Sequence, residues 1–405
     1  MTTQTLTYPR FTPGAGRAPP YLAGRAREQV ILQNMLADLR QGDGAPGDVV
    51  IIGPRGNGKT VLARWFENEC DRDNALDVVW LTPDEIADVD ELARYLIPPK
   101  RWKSFLPSEA GLDIKGAQLK WRLNDTPSGL TDLLTARCRE RALALVVDEA
   151  HTLDPTLGRF LLNASQKVRA KAPFLLILVG TPGLEYRLNE MSATFWSRAK
   201  KLGLGRLDEE DACAALVRPF AEHGIEVDGA ALAAVVDESQ RYPYFLQCWG
   251  EALTAVLRDR EAVSGRRQQV NQDLVARALP AFTEERITHY AIFRDQISDA
   301  GLQSLAAAVT RAFGDADTLT QDRLNAAVRM ALQAGQPDGV APTKADVIKH
   351  RKALAGFGYV WRPLGSNDTW HAGVPSLMRN VLEMEEREEA LSTAEEEPER
   401  IKGQI

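Results

Sequence analysis

Short apolar runs alternate with helical patterns through the first half of the chain. VVIIG at Val49–Gly53 and LALVVD at Leu143–Asp148 are continuously apolar, which predicts strands buried on both faces. DVVWLT at Asp77–Thr82 and FLLILVG at Phe174–Gly180 repeat the pattern. Alternating strands and helices predict right-handed crossovers, and therefore an α/β fold with a mostly parallel sheet covered by helices.

Apolar residues at helical spacing lie between these strands. They predict helices at about Ala26–Arg40, at Val61–Cys70 directly after the first strand, near Leu130–Arg141, and at Asn163–Ala170. The stretch from Pro83 to Gly129 shows neither the helical nor the strand spacing of apolar residues and is predicted to be irregular.

The alternation stops after about Leu207, where Ala-, Leu- and Glu-rich patterns predict a helical lid subdomain. Its helices are expected at Asp208–His223, Gly229–Ser239 and Pro243–Asp259. A further helical set starts near Arg286 and ends in a helix, a glycine turn and two strand-like pieces, an order typical of a winged helix-turn-helix.

Five parts are therefore predicted. They are an extended arm (1–20), an α/β domain (21–206), a helical lid (207–284), a winged-helix domain (285–382) and an acidic tail (383–405). The tail has nine Glu against two Arg and one Lys, so it carries −6 of the formal net charge of −7. We expect the tail to be solvated and disordered, and the near-neutral remainder can hold local basic patches.

Composition narrows the class of protein. A chain of 405 residues with 44% apolar and 26% charged residues is typical of a soluble protein of two or three domains. No apolar run reaches the roughly 20 residues of a membrane helix, and the N-terminus lacks a secretory apolar segment. The four cysteines are widely spaced, which favours a reducing cytoplasm over disulfides or zinc.

The sequence GPRGNGKT, directly after the first strand, matches the phosphate loop G-x-x-x-x-G-K-[ST]. Its glycines let backbone N–H groups point at phosphate, Lys59 can neutralise β/γ-phosphate charge, and Thr60 can ligate Mg²⁺. The expected cofactors are ATP and Mg²⁺. The residues expected to hold the nucleotide are Gly53, Pro54, Arg55, Gly56, Asn57, Gly58, Lys59, Thr60 and Val61.

The second site motif is the tetrad Asp148–His151 (DEAH), at the end of the third strand. Asp148 is expected to act on Mg²⁺, and Glu149 to polarise the attacking water as general base. His151 either couples the site to a partner or caps the strand-to-helix loop. DEAH also names a helicase family, but such a helicase needs a second α/β lobe, and no comparable series of strands follows Gly180.

Two further candidates come from position alone. Thr181 follows the fourth strand, where a polar side chain could orient the water near the γ-phosphate or simply form a turn. Arg198 ends a predicted helix seventeen residues later, where it could reach a neighbouring subunit's γ-phosphate or remain a solvated basic residue.

Together these residues resemble the AAA+ ATPases, in the clade of origin-recognition initiators, archaeal-type STAND-like ATPases and transposition regulators. By that resemblance the loop at Gly53–Thr60 is Walker A, LALVVDEAH is Walker B, Thr181 is sensor 1 and Arg198 is the arginine finger. PPYLAGRARE at Pro19–Glu28 is similar to the box that packs on adenine, and Pro243 in RYPYFLQ to a proline near the base. Tyr244 stands where origin-type proteins have a sensor-2 arginine.

The resemblance leaves two functions open. One is a homo-oligomeric ATPase that assembles on duplex DNA to load, remodel or regulate a partner; the other is a STAND-type switch with slow hydrolysis and protein partners. Basic residues near the C-terminus and in the insertion Lys100–Arg122, interleaved there with tryptophans, suit phosphate contact but also a solvated face. The C-terminal candidates for DNA contact are Lys344, Lys349, Arg351, Lys352 and Arg362.

Overall fold

The computed structural model of the chain describes residues 7–382, apart from 15, 43–46, 73–75, 87, 97–126, 265–268, 315, 336–340, 367, 375 and 379. The acidic tail and the whole of the basic insertion Lys100–Arg122, whose predicted roles were given above, lie outside the described residues. Over the part that is described, no helix is long and apolar enough to cross a membrane.

Five parallel strands form the central sheet in the order β2-β3-β4-β1-β5, which confirms the predicted parallel α/β sheet. The strands are β1 (Val49–Ile52), β2 (Leu76–Leu81), β3 (Ala142–Val147), β4 (Phe174–Gly180) and β5 (Lys200–Gly203). The sequence did not predict β5. It has only four residues and starts with two lysines, so its apolar signal is confined to Leu202.

Seven helices of the described residues accompany this sheet. They are α1 (Ala26–Arg40), α2 (Lys59–Asp71), α3 (Val89–Leu96), α4 (Pro127–Glu140), α5 (Pro155–Arg169), α6 (Gly183–Met191) and α7 (Ala193–Arg198). The prediction of an irregular stretch from Pro83 is wrong at α3, a helix in which Leu92 and Leu96 are buried at four-residue spacing. α5 starts eight residues before the predicted helix, because the Asp154 carboxylate caps its first backbone N–H groups.

The two faces of the sheet carry separate cores, as the period of two in a strand requires. Val49 and Ile51 of β1 pack with α1 and α2, including Phe66, whereas Val50 and Ile52 face α4, α5 and α6. Phe66 is fully buried, which stabilises the fold by about 2–3 kcal/mol on an area basis. Both faces of β1 are thus fixed, and so is the position of the loop that follows it.

Four helices form the next region: α8 (Glu209–Glu222), α9 (Gly229–Glu238), α10 (Pro243–Ser264) and α11 (Gln272–Asp299). The first three lie where the sequence predicted helices. α11 has 28 residues and runs without interruption through positions 284 and 285, where the lid and winged-helix parts were expected to meet. Its N-terminus is capped by Asn271, and buried Phe282 and Phe293 tie it to the helices on either side of that position.

The C-terminal region combines three helices with a three-stranded antiparallel sheet of order β6-β8-β7. Its elements are α12 (Gln303–Phe313), β6 (Thr318–Thr320), α13 (Gln321–Ala334), α14 (Lys344–Gly356), β7 (Val360–Trp361) and β8 (Thr369–Ala372). β7 and β8 confirm the two strand-like pieces. β6 was not predicted because its three residues, TLT, carry only one apolar side chain.

The C-terminal region packs directly against the α/β region. Trp361 lies against Gly205 and Leu364 against Gly203, just after and within β5. Arg206 also pairs with Asp317 at 3.0 Å, between the end of β5 and the start of β6. The contacts all lie at the carboxyl edge of the parallel sheet, where its loops converge.

Candidate functional site

The phosphate loop connects buried β1 to α2 at that carboxyl edge. Gly56 and Gly58 both have a φ of +80°, which L side chains rarely adopt. A Cβ on Gly56 would also collide with the Tyr242 hydroxyl, which donates a hydrogen bond to the Arg55 carbonyl. The loop therefore needs glycine at this position both for its backbone curl and for contact with the helical region.

Lys59 is the first residue of α2 and is buried, with only 9% of its surface exposed. Its Nζ donates to the Pro54 carbonyl at 3.0 Å, within the same loop. Burial lowers the pKa of Lys59 to about 8, while the carboxylates of Glu149 and Asp148 act in the opposite direction. The side chain is thus held at the loop, next to the two acidic residues of β3's end.

Thr60 and Asp148 meet although 88 positions separate them in the sequence. The Thr60 hydroxyl donates to Asp148 Oδ2 at 2.8 Å, and the Glu149 backbone N–H donates to Asp148 Oδ1 at 2.9 Å. Burial raises the pKa of Asp148, and the Thr60 hydrogen bond opposes that shift. The hydroxyl and carboxylate form an oxygen pair suited to a hard cation such as Mg²⁺.

Glu149 has a left-handed backbone, with φ +51° and ψ +29°. For a residue with a Cβ this conformation costs about 1–2 kcal/mol, and such strain concentrates at functional sites. Its side chain is 47% exposed and lines the same cavity as the phosphate loop. Its Oε2 lies 3.3 Å from His151 Nδ1.

Thr181 directly follows β4 and is buried, at 6% exposure. Its hydroxyl donates to the Gly356 carbonyl at 2.9 Å, at the C-terminal end of α14. The same C-terminal turn reaches the phosphate loop, since a Cβ on Gly358 would lie 3.4 Å from Pro54 Cα. Thr181 is therefore bonded to the C-terminal region rather than turned to the cavity.

Arg198 lies at the other edge of the sheet. It precedes β5, whose first residue Lys200 pairs in register with Val49 at the start of β1. The side chain is exposed and donates to Gln166 Oε1 at 2.9 Å and to Thr194 Oγ1 at 3.2 Å. It does not join the other candidates within its own chain, and its exposure leaves it open to a neighbouring subunit.

A cavity of about 380 Å³ extends from the phosphate loop between the α/β and helical regions. Pro243, at the start of α10, lines it together with Tyr244, Gln247 and His289. The N-terminal arm forms a further wall. Phe11 anchors this arm by packing on Gly250 and on Phe220, with ring centroids 5.2 Å apart.

Arg25 was not singled out by the sequence. It is 7% exposed, and its Nη2 donates to the carbonyls of Asn57, at 3.2 Å, and Gly205, at 2.7 Å. It joins the phosphate loop to the segment after β5. The sequence indicated Arg25 only through its position in the segment Pro19–Glu28, which is similar to the box that packs on adenine.

Tyr242 and His289 were also not predicted as site residues. The Tyr242 hydroxyl lies 3.1 Å from His289 Nε2, and Tyr244 stacks on the His289 ring at a centroid distance of 4.3 Å. Burial lowers the pKa of His289 to about 4, with a further contribution from the charge of Arg55. His289 lies inside a helix of 28 residues and belongs to no recognisable motif, so the sequence did not indicate it.

The five C-terminal basic residues have different surroundings. Lys344 and Lys349 are exposed, whereas Arg351 donates to Asn325 Oδ1 at 2.6 Å within the C-terminal region. Lys352 Nζ lies 5.1 Å from the centre of the Tyr186 ring of α6. Arg362 Nη2 lies 4.0 Å from Glu185 Oε1 on the same helix.

These residues fit a magnesium nucleotide. The Asn57 side chain is 1% exposed and its amide atoms lack a protein partner within the described residues, so the loop keeps unused polar groups beside the cavity. The cavity volume lies in the range of small-molecule sites. Thr60 and Asp148 would hold Mg²⁺, which usually takes one or two protein ligands and neutralises phosphate charge.

Comparison with known proteins agrees with this geometry. Residues 43–188 match the family model of an AAA domain. The Walker-type ATPase PABY2304 of Pyrococcus abyssi has a similar fold, with a TM-score of 0.58 and 16% identity over 92% of this chain and 99% of that one.

The ORC2 protein of Aeropyrum pernix, in its ADPNP-ADP complexes, has a TM-score of 0.55 and 16% identity over 94% of this chain and 99% of its own. Its ADP form has a TM-score of 0.53. At these identities the likeness establishes the fold alone. None of the curated protein sequences compared with this chain matches it.

Proposed function

We propose that the chain is a Mg²⁺-dependent ATPase. The observation that carries the proposal is the convergence of four residues at the carboxyl ends of β1 and β3: Lys59, Thr60 and Glu149 line one cavity, and Asp148 is hydrogen-bonded to Thr60. Lys59 and the loop backbone bind the β- and γ-phosphates. Thr60 and Asp148 hold Mg²⁺, and Glu149 accepts a proton from the attacking water. Pro243 contacts the base, and Thr181 orients the water once it is released from Gly356.

Lys59→Ala tests the phosphate-binding assignment. The variant should lose roughly a hundredfold in ATP affinity, because a charged contact to phosphate contributes about 3 kcal/mol. Titration with a fluorescent ATP analogue in the presence of Mg²⁺ measures the loss. Lys171→Ala is the matched control, since Lys171 is an exposed lysine just beyond α5. Wild-type affinity in Lys59→Ala would contradict the proposal.

The C-terminal region supports a DNA-associated role for the ATPase. We propose that its three helices and β6, β7 and β8 form a winged helix-turn-helix in which α14 is the recognition helix. Lys344 and Lys349 are exposed on α14 for phosphate contact. We propose that subunits assemble on duplex DNA, each presenting Arg198 to its neighbour's γ-phosphate.

A second function, a nucleotide-driven switch, is favoured by one specific observation. α14 lies against α6: the Lys352 ammonium lies over the Tyr186 ring, and the Gly356 carbonyl accepts a hydrogen bond from the Thr181 hydroxyl. In this arrangement α14 is held against the α/β region. ATP-driven release of the region would then be the signal, with protein partners and slow hydrolysis.

Sizing the Glu149→Gln protein separates the two functions. This variant should bind ATP but hydrolyse it about a hundredfold or more slowly, which preserves any ATP-bound assembly. Light scattering after size exclusion, with ATP and Mg²⁺, is run with and without duplex DNA. Assembly only with DNA supports the first function; assembly with ATP alone supports the switch. A monomer under both conditions would contradict both oligomeric proposals.

A further inference from the structure

His151 is the one residue of the DEAH tetrad to which the proposed function gives no task. Its ring is close to the general base, with Nδ1 3.3 Å from Glu149 Oε2. That nitrogen is buried and makes no regular hydrogen bond within the described residues. The Glu149 carboxylate therefore lies within reach of this nitrogen, although the contact is not a regular hydrogen bond.

The ring is neutral at physiological pH. Burial lowers the pKa of His151 to about 4, and the positive charges of Lys59 and Arg55 act in the same direction. A neutral imidazole carries one N–H group, and the tautomer with the proton on Nδ1 can donate to a carboxylate. A small rotation of the half-exposed Glu149 carboxylate completes that bond, which also satisfies the buried nitrogen.

Hydrogen bonds of the Glu149 backbone set the direction in which its side chain leaves the chain. Its N–H donates to Asp148 Oδ1 at 2.9 Å, and its carbonyl accepts from the Thr152 N–H at 2.9 Å and hydroxyl at 3.0 Å. These bonds fix the left-handed φ of +51°. The backbone therefore fixes the Cα–Cβ bond of Glu149, and the position of its carboxylate is set by side-chain rotation.

The His151 backbone is itself held in place. It lies against Gly180, where a Cβ would come within 3.3 Å of the His151 nitrogen. The short helical turn Ala150–Thr152 thus packs on the last residue of β4, directly before Thr181. The His151 backbone is thus held beside the half-exposed Glu149 carboxylate.

We propose that His151 is a positioning residue for Glu149. Its Nδ1–H holds Oε2 of the carboxylate, which leaves Oε1 as the proton acceptor facing the water. No proton passes to His151, which stays neutral throughout. The proposal rests on the proposed ATPase function, because it assigns Glu149 as the base.

The experiment compares three substitutions at one position in the full-length chain. His151→Phe keeps the ring volume without a donor, His151→Ala removes the ring, and His151→Asn places an amide N–H donor near the position of Nδ1. We expect kcat to fall roughly tenfold in the Phe and Ala variants, since misorientation of a reacting group has effects of this size or larger. Asn should recover most of the rate, and the dissociation constant for ATP should stay unchanged in all three.

A double substitution isolates the path of the effect. In a Glu149→Gln background, His151→Phe should change the residual rate less than twofold, because the base on which His151 acts is already lost. His223→Ala, outside the site at the end of α8, is the control that keeps the wild-type kcat.

Each outcome decides the proposal. Wild-type kcat in His151→Phe, no gain of Asn over Phe, or an equal loss in the Glu149→Gln background would overturn it. A parallel loss of ATP affinity in all three single variants would also overturn it, because that indicates a structural role. If the wild-type protein itself neither binds nor hydrolyses ATP, the proposed function fails first.

Discussion

At the scale of single residues, the phosphate loop is joined to the helical region by one hydroxyl. Tyr242 donates to the Arg55 carbonyl, so its oxygen is free to accept from His289 Nε2 at 3.1 Å. Both hydrogen bonds require the His289 tautomer with its proton on Nε2. Arg55 adds a positive charge nearby, which further disfavours protonation of that ring.

The His289 ring predicts a pH dependence of stability. Its pKa is about 4 in the folded chain, against 6.5 for a free histidine, so only the unfolded chain binds the proton between those values. Unfolding is therefore favoured as the pH falls, and the His289 contribution should cost about 2 kcal/mol between pH 7 and pH 5. Urea unfolding of wild-type and His289→Gln protein at both pH values measures it. The variant should lose correspondingly less stability on acidification, and an identical loss would disprove the assignment.

At the scale of elements, α14 and α6 approach closely because α6 has a glycine, Gly183, at the contact. A Cβ on Gly183 would lie 3.0 Å from Gly356 Cα, tighter than ordinary packing. Glu185 and Tyr186 on the next turn of α6 meet Arg362 and Lys352. Burial raises the pKa of Glu185, which the neighbouring Arg362 opposes. Two helices far apart in sequence thus share a compact polar and aromatic contact.

Gly183→Leu should separate these two helices. The added side chain has no space against Gly356, so α14 must move and the Thr181 bond must break. Limited proteolysis should then cut the C-terminal region faster, by roughly tenfold if the substitution costs the contact about 1.4 kcal/mol. Gly229→Leu is the matched control, since Gly229 also begins a helix and its Cβ would meet open space. Equal cleavage of both variants would show that Gly183 does not hold the contact.

At the scale of the whole molecule, the cavity is bounded by parts distant in sequence. Three parts meet around the phosphate loop: the N-terminal arm, the α/β region and the start of α10. The turn after α14 lies against Pro54 of the same loop. Arg198 lies at the opposite edge of the sheet from this cavity. The chain therefore carries its phosphate loop at one edge of the sheet and an exposed arginine at the other, which is the geometry that the proposed head-to-tail assembly requires.

The sequence determined the features that depend on local pattern. Strands buried on both faces are continuously apolar, so β1 to β4 could be predicted from runs such as those at Val49 and Val147. The loop after β1 could be predicted from its glycines, such as Gly58. Lys59, Thr60 and Asp148 followed because a phosphate loop and strand ends have fixed chemistry. The short strands β5 and β6 escaped prediction, since three or four residues carry too little periodicity to stand out.

Only the tertiary structure decided which groups meet across long sequence separations. Nothing near Thr181 in the chain indicates that its hydroxyl bonds to Gly356, 175 positions away. Packing also brought His289 and Tyr242 to the phosphate loop and spread the C-terminal basic residues over separate surroundings. The physical reason is that such contacts depend on how whole elements dock, which the burial of many side chains determines together.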